Sequence, residues 1–238
     1  RLMQPVTAAI LPAAGALSEL SRPPAGPPRA AGPCTTDAEP DDAEHREHET
    51  TDTNHQMSSE PYGGELIDRT TAPEQADALR SRADGLPTIQ VDHRILSDLY
   101  LIAVGGLSPL TGFMSREDYV SVLDDMRLTN GLPWTVPVVL PATEEEARHL
   151  KQGGEAALVD ADGVLAAVID VKNVYDRDVE REAHSVYGTG EEAHPGVAAI
   201  QEMGEKYVAG PIHYTYPHDI SGFPDDNLTP AETRARMD

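Results

Sequence analysis

Only one cysteine, Cys34, occurs in 238 residues. No intramolecular disulfide framework and no cysteine-built zinc finger can therefore form. Lysine is nearly as scarce: Lys151, Lys172 and Lys206 are the only three among 18 basic side chains. Against those stand 41 Asp and Glu, which sets the formal net charge at −23. A basic face able to neutralise phosphates is missing, and this argues against nucleic acid as a partner. Docking on an anionic membrane surface is disfavoured for the same reason. An acidic, lysine-poor surface stays in solution by self-repulsion and suits a salty medium. The longest apolar run, residues 6–17, is too short to span a bilayer and is broken by Pro12.

The familiar catalytic signatures are lacking as well. There is no G-x-x-x-x-G-K-[ST] phosphate loop, no G-x-S-x-G elbow and no H-E-x-x-H helix. Gly188-Thr189-Gly190 has neither the third glycine nor the strand-to-helix setting of a dinucleotide site, and reads as a helix stop. Glu191-Glu192 with His194 could form an acid and base pair, but a solvated loop ahead of Pro195 is the simpler use. His184, His213 and His218 have no ligand spacing among them. On these grounds no catalytic, cofactor-binding or metal-ligating residue is assigned.

What is present falls into two materials. Residues 1–60 carry prolines at 5, 12, 23, 24, 27, 28, 33 and 40, which interrupt every helical pattern. Residues 35–60 hold nine acidic side chains, one arginine and almost nothing apolar. Such a stretch buries too little surface to offset its ordering entropy, so a disordered tail is expected. Its His45, His48 and His55 are read as part of a solvated acidic segment and not as metal ligands, for want of a scaffold. The chain starts on Arg1, as an incomplete or processed product would. Arg1, the run at 6–17 and Ala14 and Ala16 imitate a secretory signal, yet Pro12 and the single basic residue favour a cytoplasmic protein.

Residues 61–238 read as one α+β domain with 31 acidic and 14 basic residues, a net of −17. Pro73 opens a helix bearing Leu79 and Ala83, and Leu96, Leu99, Ile102 and Ala103 line another that ends at Gly105-Gly106. Ser115 is predicted to cap a helix whose core face is Tyr119, Val122, Leu123 and Met126, with Asp118 completing an S-x-x-D box. Thr143 and Glu146 repeat the device ahead of Ala147 and Leu150. Residues 135–140 suggest an edge strand bent by Pro137. Residues 156–160 and 164–175, around Ala161-Asp162-Gly163, suggest a hairpin. Asp176 is then expected to cap a helix facing inward through Val179, Ala183 and Val186, and Pro195 to start a helix stopped by Gly204. Residues 206–214 form a last strand. Short helices, short strands and a hairpin point to a small curved sheet or barrel, not a doubly wound parallel sheet.

One segment has an unusual residue order: Ser97-Asp98-Leu99-Tyr100-Leu101-Ile102-Ala103-Val104-Gly105-Gly106-Leu107-Ser108-Pro109-Leu110-Thr111-Gly112-Phe113-Met114. It resembles a hallmark of sulfate adenylyltransferase (ATP sulfurylase). The resemblance continues at Met126-Arg127-Leu128-Thr129-Asn130-Gly131-Leu132-Pro133-Trp134, Val186-Tyr187-Gly188-Thr189, His194-Pro195-Gly196-Val197 and Leu228-Thr229-Pro230-Ala231-Glu232-Thr233-Arg234. It covers residues 61–237, and the leader has no counterpart in it. The family makes adenosine 5′-phosphosulfate and pyrophosphate from ATP and sulfate. Its N-terminal domain is PUA-like and precedes a nucleotidyltransferase domain holding Gln-x-Arg-Asn and His-x-x-His motifs. Neither motif is found in the stretch that carries the resemblance.

The resemblance thus implies the PUA-like half alone: a structural portion packed against the catalytic domain of a complete enzyme, with homo-oligomeric contacts there. ATP and sulfate would be substrates of that enzyme, and no cofactor is implied in this chain. The physics agrees, because joining two anions needs a cationic cradle and a domain at −17 shows none. The alternative is a free-standing PUA-like module that binds a protein. Residue by residue, Gly105, Gly106 and Gly112 are expected to supply positive φ around a Ser-Pro turn. Phe113 and Met114 are expected to anchor the core, Asn130-Gly131 to turn, and Trp134 to cover one end of the sheet. Arg127 is expected to pair with Asp124 or Asp125.

Overall fold

The computed structural model describes residues 60–216 and 227–237. The expected tail, with Cys34 and its three histidines, lies outside these residues, as does His218. Helix α1 (Pro73–Ala83) starts on its proline and buries Ala76 and Leu79. Strand β1 (Thr88–Gln90) follows, then α2 (His93–Ala103), whose N-terminus is closed by the Asp92 side chain accepting from the Ile95 amide at 2.8 Å. Next come β2 (Gly112–Phe113) and α3 (Arg116–Asp125), the latter capped by Ser115. Asp118 does not complete the box. Its Oδ1 instead accepts from the Thr129 amide and hydroxyl, tying the following loop to the helix start.

Strand β3 is Leu140–Ala142, later and shorter than the expected 135–140. Pro137 withholds an amide from any ladder, so residues 135–139 run irregularly and pairing begins only beyond it. Helix α4 (Glu144–His149) has the full capping box: Glu146 Oε2 accepts from the Thr143 amide, and Thr143 Oγ1 from the Glu146 amide. Strands β4 (Glu155–Val159) and β5 (Leu165–Asp170) make the expected hairpin, closed by Asp160 Oδ1 accepting from the Asp162 and Val164 amides. The strand is interrupted at Val171-Lys172 and resumes as β6 (Asn173–Asp176), so the long expected second arm is two strands.

Helix α5 is Val179–Tyr187, and its cap is Asp178, not Asp176. Asp176 ends β6 and pairs with Lys206. Helix α6 is Pro195–Gln201, strand β7 is Lys206–Tyr214 and helix α7 is Pro230–Met237. A second capping box, Thr229 with Glu232, starts α7.

The sheet runs β1-β4-β5-β7-β2, with β3 and β6 also pairing to β7. Among the described strands only β1 and β4 pair in parallel, so the architecture is the expected curved α+β sheet. Strand β7 is the hinge of this arrangement. Its C-terminal half pairs with β5 and its N-terminal half with β6. Residues 206–208 pair with β3, and 210–211 with β2. Neighbours thus change along its length, and the sheet curls over. Helix α2 packs Ile95, Leu99, Ile102 and Ala103 into the main core with Ile89, Leu158, Ile169 and Ile212. A second core beneath α3 is aromatic: Tyr119, Tyr175 and Tyr207, with centroids 5.5–5.8 Å apart.

Candidate functional site

A cleft of about 550 Å³ lies between α2, the irregular segment 133–139 and the α5–α6 pair. Each wall has a local cause. Prolines 133 and 137 keep the segment out of the sheet, so Trp134, Val136 and Val138 form one side. The α2 side brings Arg94 and Asp98, one helical turn apart. The floor includes Glu182, which lies on the apolar stripe of α5 at the spacing of Val179, Ala183 and Val186.

Glu182 is only 4% exposed. Its Oε2 accepts from Tyr119 Oη at 2.9 Å and from Tyr207 Oη at 2.8 Å. No cation pairs with it among the described residues. The nearby Arg177 spends its guanidinium on the carbonyls of Ile200 and Gly204 and lies 5.0 Å from the Tyr207 ring centre. Burial first, then the Glu182 charge, push the Tyr119 and Tyr207 hydroxyls well above the ordinary tyrosine range, so both stay protonated and donate. Burial likewise pushes the Asp98 carboxyl up to about 6, while Arg94 pulls it back and Asp92 adds to the rise. Arg94 itself leans toward Asp92, 3.6 Å away.

The segments singled out in the sequence do not converge here. Phe113 and Met114 are buried as expected, Phe113 in the main core and Met114 in a cluster with Leu110, Val122 and Leu128. Gly105 has φ of +84°, whereas Gly106 and Gly112 do not have positive φ. Gly112 is needed because a Cβ there would run into the Gly210 carbonyl. Asn130-Gly131 turns as expected, with Asn130 Oδ1 accepting from Leu132. Trp134 does not cover the sheet. It packs on the Leu110 and Met114 cluster, its ring 6.4 Å from that of Tyr62 and tilted to it, because the 126–134 loop folds back over α3. Arg127 pairs with neither Asp124 nor Asp125. It donates to the Gly131 carbonyl inside that loop, and Asp124 is taken by Arg181. Met126 is 60% exposed and left-handed at φ 52°, since α3 ends before it.

His194 caps α6, its Nδ1 accepting from Gly196, and Glu191 and Glu192 stand exposed in the loop. Gly188 ends α5 in the left-handed conformation. His184 is exposed on α5, while His213 lies on β7 at 3.4 Å from Asp170. Among the described residues no group of three or more His, Cys, Asp or Glu is arranged to hold a metal ion. No helix among them is long and apolar enough to cross a membrane. The His-x-x-His spacing does occur once, as His45-Arg46-Glu47-His48, but in the leader and outside the described residues.

A curled sheet hung on one long strand, with short helices around it, defines a class before it defines a protein. The chain belongs to the PUA-like domain family, whose sequence profile matches residues 59–216. Within that class its similarity runs to sulfate adenylyltransferase. It is 46% identical over 176 residues to the sulfate adenylyltransferase of Synechococcus sp. strain JA-3-3Ab, covering 73% of this chain and 44% of that one. It is 45% identical over 177 residues to that of Synechococcus elongatus, covering 74% and 45%. A probable bifunctional SAT/APS kinase of Sorangium cellulosum is 42% identical over 175 residues, or 74% of this chain and 30% of that one. Among solved structures, a hexameric APS kinase from Thiobacillus denitrificans matches with a TM-score of 0.55 and 28% identity, over 74% of this chain and 31% of its own. The chain therefore spans less than half the length of these relatives.

Proposed function

We propose that this chain is the N-terminal PUA-like portion of a sulfate adenylyltransferase and serves it as a scaffold. The observation that carries the reading is a coincidence of extents. Identity of 41–46% is held over some 73% of the chain, yet it takes up only 44–45% of the sulfate adenylyltransferases matched. The Gln-x-Arg-Asn motif is absent from the 238 residues. Transfer of an adenylyl group from ATP to sulfate, releasing pyrophosphate, needs cationic groups around two anions. The one cation lining the main cleft, Arg94, shares it with two carboxylates, Asp98 and Glu182. Residues 61–238 would instead pack against a catalytic domain and help set subunit contacts in a cytoplasmic homo-oligomer, with residues 1–60 as a separate leader. The oligomer is supported by the hexameric relative.

Two measurements test this. The purified chain, given ATP, Mg²⁺ and labelled sulfate, is expected to form no adenosine 5′-phosphosulfate. Turnover above an enzyme-free blank would place an active site in residues 1–238. Reading the coding sequence past codon 238 decides the larger question. An open frame encoding both phosphate-gripping motifs supports the scaffold, whereas a stop codon there replaces it with a free-standing protein-binding module.

A further inference from the structure

Glu182 is a buried carboxylate that forms no ion pair among the described residues. Its Oε2 is occupied by two tyrosyl hydroxyls, and its Oε1 accepts no hydrogen bond. A carboxylate this enclosed is ordinarily paired, because an ion taken out of water loses its hydration. Yet Glu182 lines the main cleft, which also takes the Asp98 carboxylate from the opposite wall. The only cation of that cleft, Arg94, is shared with Asp92 outside it. The cleft thus sets two carboxylates against one guanidinium.

Its mouth is not that of a small-molecule pocket. Trp134, the single tryptophan, lines it with Val136, 52% exposed, and the ring of Tyr62, 47% exposed, lies 6.4 Å from that of Trp134. Tyr62 donates to the Pro133 carbonyl and Trp134 Nε1 to the Val136 carbonyl at 2.9 Å. Aromatic side chains fixed around a desolvated charge are the usual composition of a protein-binding anchor point. A free amine would leave this apolar rim exposed.

We propose that the cleft seats an arginine side chain of a partner polypeptide, its guanidinium meeting Glu182 and Asp98 and its flanking apolar residues covering Trp134 and Val136. Arginine fits better than lysine, since its flat guanidinium lies against an aromatic ring and is less strongly hydrated. The net −17 of residues 61–238 attracts such a segment at long range. The inference does not depend on which reaction the relatives catalyse.

The test uses the whole chain and the emission of Trp134. The probes are an acetyl-Val-Arg-Leu-amide peptide, its citrulline counterpart (isosteric and neutral) and agmatine. The arginine peptide is expected to change the emission saturably, and to bind at least about ten-fold more tightly than either other probe, as loss of a charge-assisted contact to a buried partner requires. Glu182→Gln and Asp98→Asn should each weaken the arginine peptide, and Asp98→Asn serves alone if Glu182→Gln fails to fold. Equal binding of the citrulline peptide would overturn the charge argument. Equal binding of agmatine would overturn the polypeptide partner, and indifference to Asp98→Asn would overturn the placement.

Discussion

Gly112 and Gly210 stand backbone to backbone where β2 crosses β7. Phe113 is paired with Gly210 and Gly112 with Pro211. A Cβ on Gly112 would enter the Gly210 carbonyl, and one on Gly210 would enter the carbonyl of Asp170. Three strands therefore meet at a point that has no room for a side chain. This explains why the Thr111-Gly112-Phe113 order is needed: the glycine admits the close approach and the phenylalanine then drops into the core.

Gly112→Ala should be the more disruptive change here, leaving little soluble folded protein. Phe113→Ala, which only empties a buried site, should cost about 3–5 kcal/mol and lower Tm while leaving the transition cooperative. Urea unfolding followed by circular dichroism compares the two. A Gly112→Ala protein as stable as the native chain would show that the strands can separate there.

Replacing Tyr207 by Phe removes one of the two hydroxyls on Glu182 and should cost about 1.5–3 kcal/mol, as for hydrogen bonds to charged groups. Tyr119→Phe should act similarly, and the double variant should lose more than the sum, because the carboxylate is then buried with no donor. Chemical denaturation of the four proteins gives the coupling. Strict additivity would mean that Glu182 finds water or another donor.

Asp98 sets a pH dependence of unusual sign. Its folded pKa of about 6 lies above the ordinary value of 3.8. Between those values the folded chain holds a proton that the unfolded chain has released, so its contribution to stability falls as pH rises through that window and is constant above it. Asp98→Asn should accordingly stabilise the protein at pH 7–8, by on the order of 1 kcal/mol after solvent screening, and gain almost nothing near pH 4. Melting temperatures of both proteins across pH 4–8 check it. An Asn variant gaining equally at every pH would assign the effect to packing.

Met126 occupies a left-handed position at the end of α3 with its side chain in solvent. Glycine is the natural residue there, and Met126→Gly should raise stability by about 0.5–1 kcal/mol, part of the left-handed penalty being offset by chain entropy. Thermal unfolding measures the change. A lower Tm would mean that Met126 packs usefully against the 126–134 loop.

The parts legible in the sequence are those decided over a few residues. Thr143 and Glu146 form their capping box because both partners lie within one turn. Lys206–Tyr214 runs as foreseen because its apolar residues continue on both sides of Gly210-Pro211. The candidate site was not legible, and the misses share a cause. Arg127 had acidic neighbours along the chain, but Arg181 reached Asp124 from across the fold. Asp176 had the composition of a cap, but Lys206 claimed it. Glu182 gave one signal, an acidic residue inside an apolar helical stripe. Its meaning depends on Tyr119 and Tyr207, which lie 63 and 25 residues away.

The position of β7 also has a consequence in time. Strands β2, β3, β5 and β6 all precede it in the chain and all wait for it as a hydrogen-bonding partner. During synthesis from the N-terminus the hairpin of β4 and β5 can close early, but the curled sheet cannot form until residue 214 has left the ribosome. Nascent chains halted before residue 206 should therefore remain protease-sensitive, and protection should arrive in one step with the emergence of this strand.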